Sequence, residues 1–190
     1  MTESNKETLS VIGKLVIVAV VAAILLGITY VPTSAQIKLN EELAKQEILS
    51  DLFPEDNINF EPVEGDSIDQ DGEREVHYYR VTDNTGNIIG YAFFNRYPGY
   101  GGQILVAGGT DSSFTTLKGM NVLSHEETPG LGSRIEEPQF RNQFKDVPIE
   151  SLALTSSGGS IDAITGATVS SNAVVDALNA KIREVRVEEE

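Results

Sequence analysis

From Val11 to Val31 the chain reads VIGKLVIVAVVAAILLGITYV, apolar on every side of a helix except at Lys14. At about 1.5 Å per residue this run is about 31 Å long, against a hydrocarbon core of about 30 Å. Lys14 stands close enough to the start to snorkel to the headgroups, Tyr30 sits where an interfacial aromatic belongs, and Pro32 follows as a stop. The pattern predicts a transmembrane helix over 11–31. A cleaved leader is the rival, because Thr33-Ser34-Ala35 resembles a small-residue cleavage site. The apolar run exceeds the roughly 7–15 residues of a leader core, which favours a retained anchor.

Beyond the span the periodicity changes. In residues 36–53, Leu39, Leu43, Leu49, Leu52 and Phe53 recur at near-helical spacing, predicting an amphipathic helix that ends before Pro54. Residues 54–75, rich in Asp, Glu, Gly and Pro, read as an exposed loop. Val76–Val81 and Ile88–Phe94 predict strands joined by a turn through Thr82–Asn87. Gln103–Ala107 and Leu117–Leu123 predict two more strands. Glu137–Phe144 reads as a short helix and Ser151–Thr155 as a further strand. After Thr168, the stripe Ala173, Val174, Ala177, Leu178, Ile182 and Val185 predicts a helix to about residue 187. The sum is an α+β domain with a mixed sheet and a C-terminal helix, over residues 36–190. It is carried on the 11–31 anchor, with residues 1–10 as a short N-terminal tail.

Composition narrows the chemistry. The net charge is −15, from 29 acidic against 14 basic residues, a surface that repels phosphate backbones and argues against a nucleic-acid partner. There is no cysteine, which removes disulfides, thiolate catalysis, thiolate-held iron–sulfur clusters and c-type haem attachment together. Having only two histidines, His77 and His125, also argues against an all-histidine metal site. Any redox chemistry therefore rests on an organic cofactor. Lys6 before the span and Lys14 at its start balance Lys38 and Lys45 after it, so charge does not orient the anchor.

Three segments stand out for chemistry. Residues 157–171, SGGSIDAITGATVSS, form a hydroxyl-rich glycine turn that opens into the last helix. Free amide groups and the positive dipole end meet there, a natural place for a phosphate, although an ordinary helix cap has the same composition. Thr165, Thr168, Ser170 and Ser171 supply hydroxyls, while Gly166 and Ala167 allow close backbone approach. Glu127-Thr128-Pro129-Gly130-Leu131-Gly132 is a rigid loop with an apolar residue at its centre, and Tyr97–Gly102 is a second glycine-rich bend. Such loops can line the site of a planar cofactor.

The run Asp162-Ala163-Ile164-Thr165-Gly166-Ala167-Thr168 resembles the flavinylation motif, Asp-x-x-(Ser/Thr)-Gly-Ala-(Ser/Thr), of FMN-binding domains. Glu127–Gly132 is similar to that family's second hallmark and Gly99–Gly102 to a third. The set in this order resembles the G subunits of Rnf ion-translocating electron-transport complexes, relatives of the C subunit of sodium-pumping NADH:quinone reductase. The resemblance implies that Thr168 carries FMN through a phosphoester made by a separate flavin transferase. It implies that Thr128 and Leu131 lie against the isoalloxazine ring, with Asp162, Thr165, Gly166, Ala167, Glu127 and Gly130 completing the site and no metal present. It implies further a single-pass subunit in the cell (inner) membrane, its domain on the outer face. Such a subunit relays electrons beside other subunits of a complex that couples the oxidation states of ferredoxin and NAD to ion translocation. The alternative is a stand-alone membrane-tethered flavoprotein reductase acting on a small substrate. That enzyme needs a proton donor, for which His125 is the candidate, otherwise read as a solvated loop residue. A third is a flavin-sensing regulator without redox turnover.

Overall fold

The computed structural model describes residues 3–68, 72 and 74–190, with the side chains of residues 3–9, 26–35 and 66 outside that description. It comprises two compact units, Met1–Ala44 and Lys45–Glu190. The first belongs to a single helix, α1 (Glu3–Leu52). Pro32, expected to end the helix, lies inside it. One proline removes one intrahelical hydrogen bond at a cost of about 3 kcal/mol, which the turns on either side of it offset. Large apolar side chains from Val11 to Leu25 are at least half exposed, Val18 at 66%. The remainder of the predicted span, residues 26–31, lies outside the residues whose side chains are described. Among the described residues no helix is long and apolar enough to cross a membrane.

The second unit begins with the last turns of α1 and continues through β1 (Asn59–Ile68), β2 (Arg74–Thr82), β3 (Ile88–Pro98), β4 (Gln103–Asp111) and β5 (Thr116–His125). Then come α2 (Pro138–Arg141), β6 (Val147–Pro148) and α3 (Thr168–Glu189). The strands form one sheet in chain order, every neighbouring pair antiparallel. This corrects the expected mixed sheet. Tight connections such as Gly99–Gly102 reverse the chain at once, whereas a parallel pair needs a crossover of a dozen or more residues. The β2–β3 turn forms as predicted. Asp83 accepts hydrogen bonds from the Thr85 hydroxyl at 2.6 Å and from the Thr85 and Asn87 amides at 2.8 and 2.9 Å. The Thr85 hydroxyl, ahead of the Asn87 amide, draws the Asp83 carboxyl down to about 2.

Two further expectations are corrected. Residues 59–68, expected within a loop, form the edge strand β1, with Pro62 opposite Tyr79 and a register shift after Val63. Edge strands tolerate the proline and charges that made this segment read as loop. Ser151–Thr155 is no strand. Leu152 and Leu154 are both buried, which gives the alternation of a strand, but Leu154 makes a single parallel bridge to Ile161 between two 3-10 turns.

The sheet is covered on both faces. Tyr78, Phe93, Val106 and Leu117 pack with Val174, Leu178 and Ile182 of α3 on one side. On the other, Ile48, Leu49, Leu52 and Phe53 cover Val81, Ala92 and Ala107. Consecutive residues such as Ala92 and Phe93 thus feed opposite cores, and β4 is buried without interruption from Ile104 to Thr110. At the far end of α3, Glu189 accepts hydrogen bonds from Tyr78, from Arg80 at 2.8 Å and from Tyr91 at 3.1 Å. Burial works against its charge, but the Arg80 and tyrosine hydrogen bonds prevail and hold its carboxyl below the ordinary range. The C-terminal helix is therefore pinned to β2 and β3, which fixes where its N-terminus emerges.

Candidate functional site

Past the end of β5 the chain turns through Glu127, whose side chain is 5% exposed. A buried carboxylate is costly unless its oxygens are hydrogen-bonded. Here Oε1 accepts from the amides of Tyr100 and Gly101, at 2.7 and 3.2 Å, and Oε2 accepts from the Ser170 hydroxyl at 2.7 Å. One group thereby ties together the β3–β4 turn, the Glu127–Gly132 loop and the first turn of α3. Access depends on glycine, since a Cβ at Gly99 would overlap Oε1 and one at Gly132 would overlap Oε2. The Glu127 amide donates to His125 Nδ1 at 3.1 Å, and His125 Nε2 lies 3.2 Å from Glu136. His125, expected to be solvated, is only 14% exposed and braces the loop through both ring nitrogens.

Around this hub the loop carries its own order. The Thr128 carbonyl accepts from the amides of Leu131 and Ser133, both at 3.2 Å, and the Gly130 amide donates to the Ser133 hydroxyl at 2.8 Å. Thr128, Gly130 and Leu131 face water, Leu131 at 47% exposure.

The Asp162–Thr168 segment is held at several points. The side-chain amide of Gln143 accepts from the Asp162 N–H at 2.7 Å and donates to its carbonyl at 3.3 Å. The fully buried Ser171 hydroxyl accepts from the Ile164 amide and donates to the Ala167 carbonyl, both at 3.0 Å. The Ala167 amide closes the bend onto the Ile164 carbonyl at 2.9 Å. Gly166 has φ +81°, and a Cβ built on it would stand 3.6 Å from Leu131 Cδ2, so the Glu127 loop lies directly over this bend. Ala167 occupies the N-cap of α3 and is buried, and no side chain caps the helix. Thr168 is its first residue. Asp162, Thr165, Gly166 and Thr168 are exposed.

All three segments singled out in the sequence thus converge. The leading amides of α3 lack a side-chain acceptor, an arrangement suited to a phosphoryl group. An exposed hydroxyl stands among them, and exposed apolar side chains lie beside it. Sequence reasoning noted the Ser170 and Ser171 hydroxyls but not what they anchor, and it missed Gln143, whose partner is 19 residues away. A separate cluster, His77, Glu184 and Glu188, has ligand atoms within 4.8 Å of one another. There the buried Lys181 Nζ lies 2.9 Å from His77 Nδ1 and 3.0 Å from Glu184, so the protein supplies its own cation.

Removing the hub should loosen the site. Glu127→Ala leaves two amides and the Ser170 hydroxyl without their acceptor and should destabilise the protein by about 3 kcal/mol, whereas Ser170→Ala should cost about 1 kcal/mol. Denaturant unfolding followed by tyrosine fluorescence measures both. Equal, negligible losses would mean that Glu127 does not organise the loops.

A model of the FMN-binding domain family matches residues 99–183, which include Gly99–Gly102, the Glu127–Gly132 loop and residues 157–171. The G subunit of the ion-translocating oxidoreductase complex of Methanosarcina acetivorans is 43% identical over 185 residues, covering 97% of this chain and 98% of that one. Its counterpart from Vibrio vulnificus is 32% identical over 177 residues, covering 87% and 83%. A solved structure of the C subunit of Na(+)-translocating NADH-quinone reductase, from Parabacteroides distasonis, is 26% identical. It aligns with 55% of this chain and 58% of its own, at a TM-score of 0.46. With nearly the whole of two chains aligned at 43% identity, this chain belongs to the family of G subunits of ion-translocating (Rnf) oxidoreductase complexes.

Proposed function

We propose that this protein is a membrane-anchored electron relay that carries FMN in phosphoester linkage to Thr168. The observation that carries the reading is the position of Thr168, exposed at the first residue of an α3 whose N-terminus no side chain caps. The residues fit the group. The amides of the first turn provide donors for a phosphodiester, and Gly166 and Ala167 keep the approach open. Leu131, lying over Gly166, and the neighbouring Thr128 offer a surface for the ring. Bound FMN supplies one- and two-electron transfer, so the chain needs no acid–base pair of its own. With both His125 nitrogens engaged by Glu127 and Glu136, a stand-alone reductase using that histidine as proton donor gains no support.

Covalent attachment has a physical rationale. Esterification converts a phosphomonoester into a diester with one negative charge, a smaller burden on a chain of net charge −15. On the outer face of a membrane free FMN is scarce, and even a micromolar site, worth about 8 kcal/mol, would empty. A bond made once by a flavin transferase removes that dependence. The all-round exposure of the apolar side chains from Val11 to Leu25 supports an anchor over residues 11–31 in contact with lipid. In this reading residues 1–10 lie in the cytoplasm and the domain outside, where electrons pass between neighbouring subunits of a ferredoxin:NAD oxidoreductase complex.

Two experiments test this. Thr168→Val keeps the side-chain shape and deletes the hydroxyl that becomes the ester oxygen. It should fold, at a cost of no more than about 1 kcal/mol, yet lose all flavin fluorescence in a denaturing gel when co-produced with a flavin transferase. Thr165→Val should retain it, and covalent flavin on Thr168→Val would refute the assignment. For topology, protease added to intact spheroplasts should digest the domain. Protection until lysis would reverse the orientation.

A further inference from the structure

We propose that Tyr100 is a flavin-contact residue, its ring completing the apolar platform begun by Leu131 and Val169. The inference rests on FMN being held at Thr168. Among the described residues of the Lys45–Glu190 unit, few large apolar side chains face water. Three of them, Tyr100 at 74%, Val169 at 55% and Leu131 at 47% exposure, sit on the three segments that Glu127 ties together. Tyr100 is joined to α3 by two hydrogen bonds through that one carboxylate, its amide on Oε1 and Ser170 on Oε2. Val169 directly precedes Ser170 and follows Thr168, while Leu131 lies over Gly166. The three exposed side chains therefore stand on segments that meet at the Thr168 end of α3.

Tyr100 differs from the other tyrosines whose side chains are described. Tyr78 and Tyr91 are buried and bonded to Glu189, and Tyr79 and Tyr97 are half-buried. The Tyr100 hydroxyl has no hydrogen-bond partner among the described residues. Its backbone is nonetheless fixed, by the Gly99 amide on the Gly102 carbonyl at 2.7 Å and by the bonds of residues 100 and 101 to Glu127. A large aromatic side chain left in water on a rigid turn, itself tied to the segments that carry two exposed aliphatic ones, marks a surface built for an occupant. A planar ring tethered at Thr168 is an occupant of the right chemistry. Aromatic pairs prefer offset or edge-on contact, and an electron-rich phenol in such contact quenches an excited flavin by electron donation.

Full-length protein co-produced with a flavin transferase and purified in detergent provides the test. Covalent loading is measured by intact mass, and emission per bound flavin is compared before and after unfolding. Wild type should be dim when native and brighten on unfolding. Tyr100→Leu and Tyr100→Phe should load equally but emit several-fold more per flavin in the native state, since neither donates electrons as a phenol does. Native emission unchanged in both variants at full loading overturns the contact while leaving Thr168 attachment intact. A wild-type protein without covalent flavin overturns the attachment, and this proposal with it.

Discussion

The site depends on one buried carboxylate. Glu127 has three protein donors for its two oxygens, and they come from two stretches of chain that its own loop brings together. Charge-assisted hydrogen bonds in a water-poor setting are strong, but removing any one partner exposes the desolvation cost of the rest. The arrangement therefore behaves as a unit. It fixes the β3–β4 turn against the N-terminus of α3 and sets the Leu131 loop over the Gly166 bend. Gly99 and Gly132 are the residues that let the carboxylate in.

The rest of the fold holds this unit in place. Glu189 secures the opposite end of α3 to Tyr78, Arg80 and Tyr91, while Val174, Leu178 and Ile182 seat its face on the sheet. With both ends held, the helix presents Thr168 at a defined point. Ser171 and Gln143 shape the preceding segment from within and from the side. The exposed residues, Thr165, Gly166 and Thr168, are thus the outer edge of a rigid bend.

Much of this was legible in the sequence where the signal was local. The α3 stripe and the Asp83 turn were read correctly because periodicity and turn chemistry are written in consecutive residues. The convergence of three loops was suggested by a resemblance, since no spacing rule brings Tyr100, Glu127 and Ser170 together. Edge strand β1 was hidden by its own charges and proline. The strand expected at Ser151–Thr155 misled because burial of Leu152 and Leu154 imitates strand alternation. Glu127 was grouped with the residues around the cofactor. Its oxygens face protein groups, a role that only long-range contacts reveal.

The central claim is that the Thr168 oxygen bears the flavin. Trypsin cleavage after Lys145 and Lys181 yields a single peptide, residues 146–181, containing the whole motif. In protein isolated from its native membrane, that peptide should carry the mass of FMN less water, with fragment ions locating the addition on Thr168. An unmodified peptide accompanied by free FMN, or an addition placed on Thr165, Ser170 or Ser171, would contradict the account.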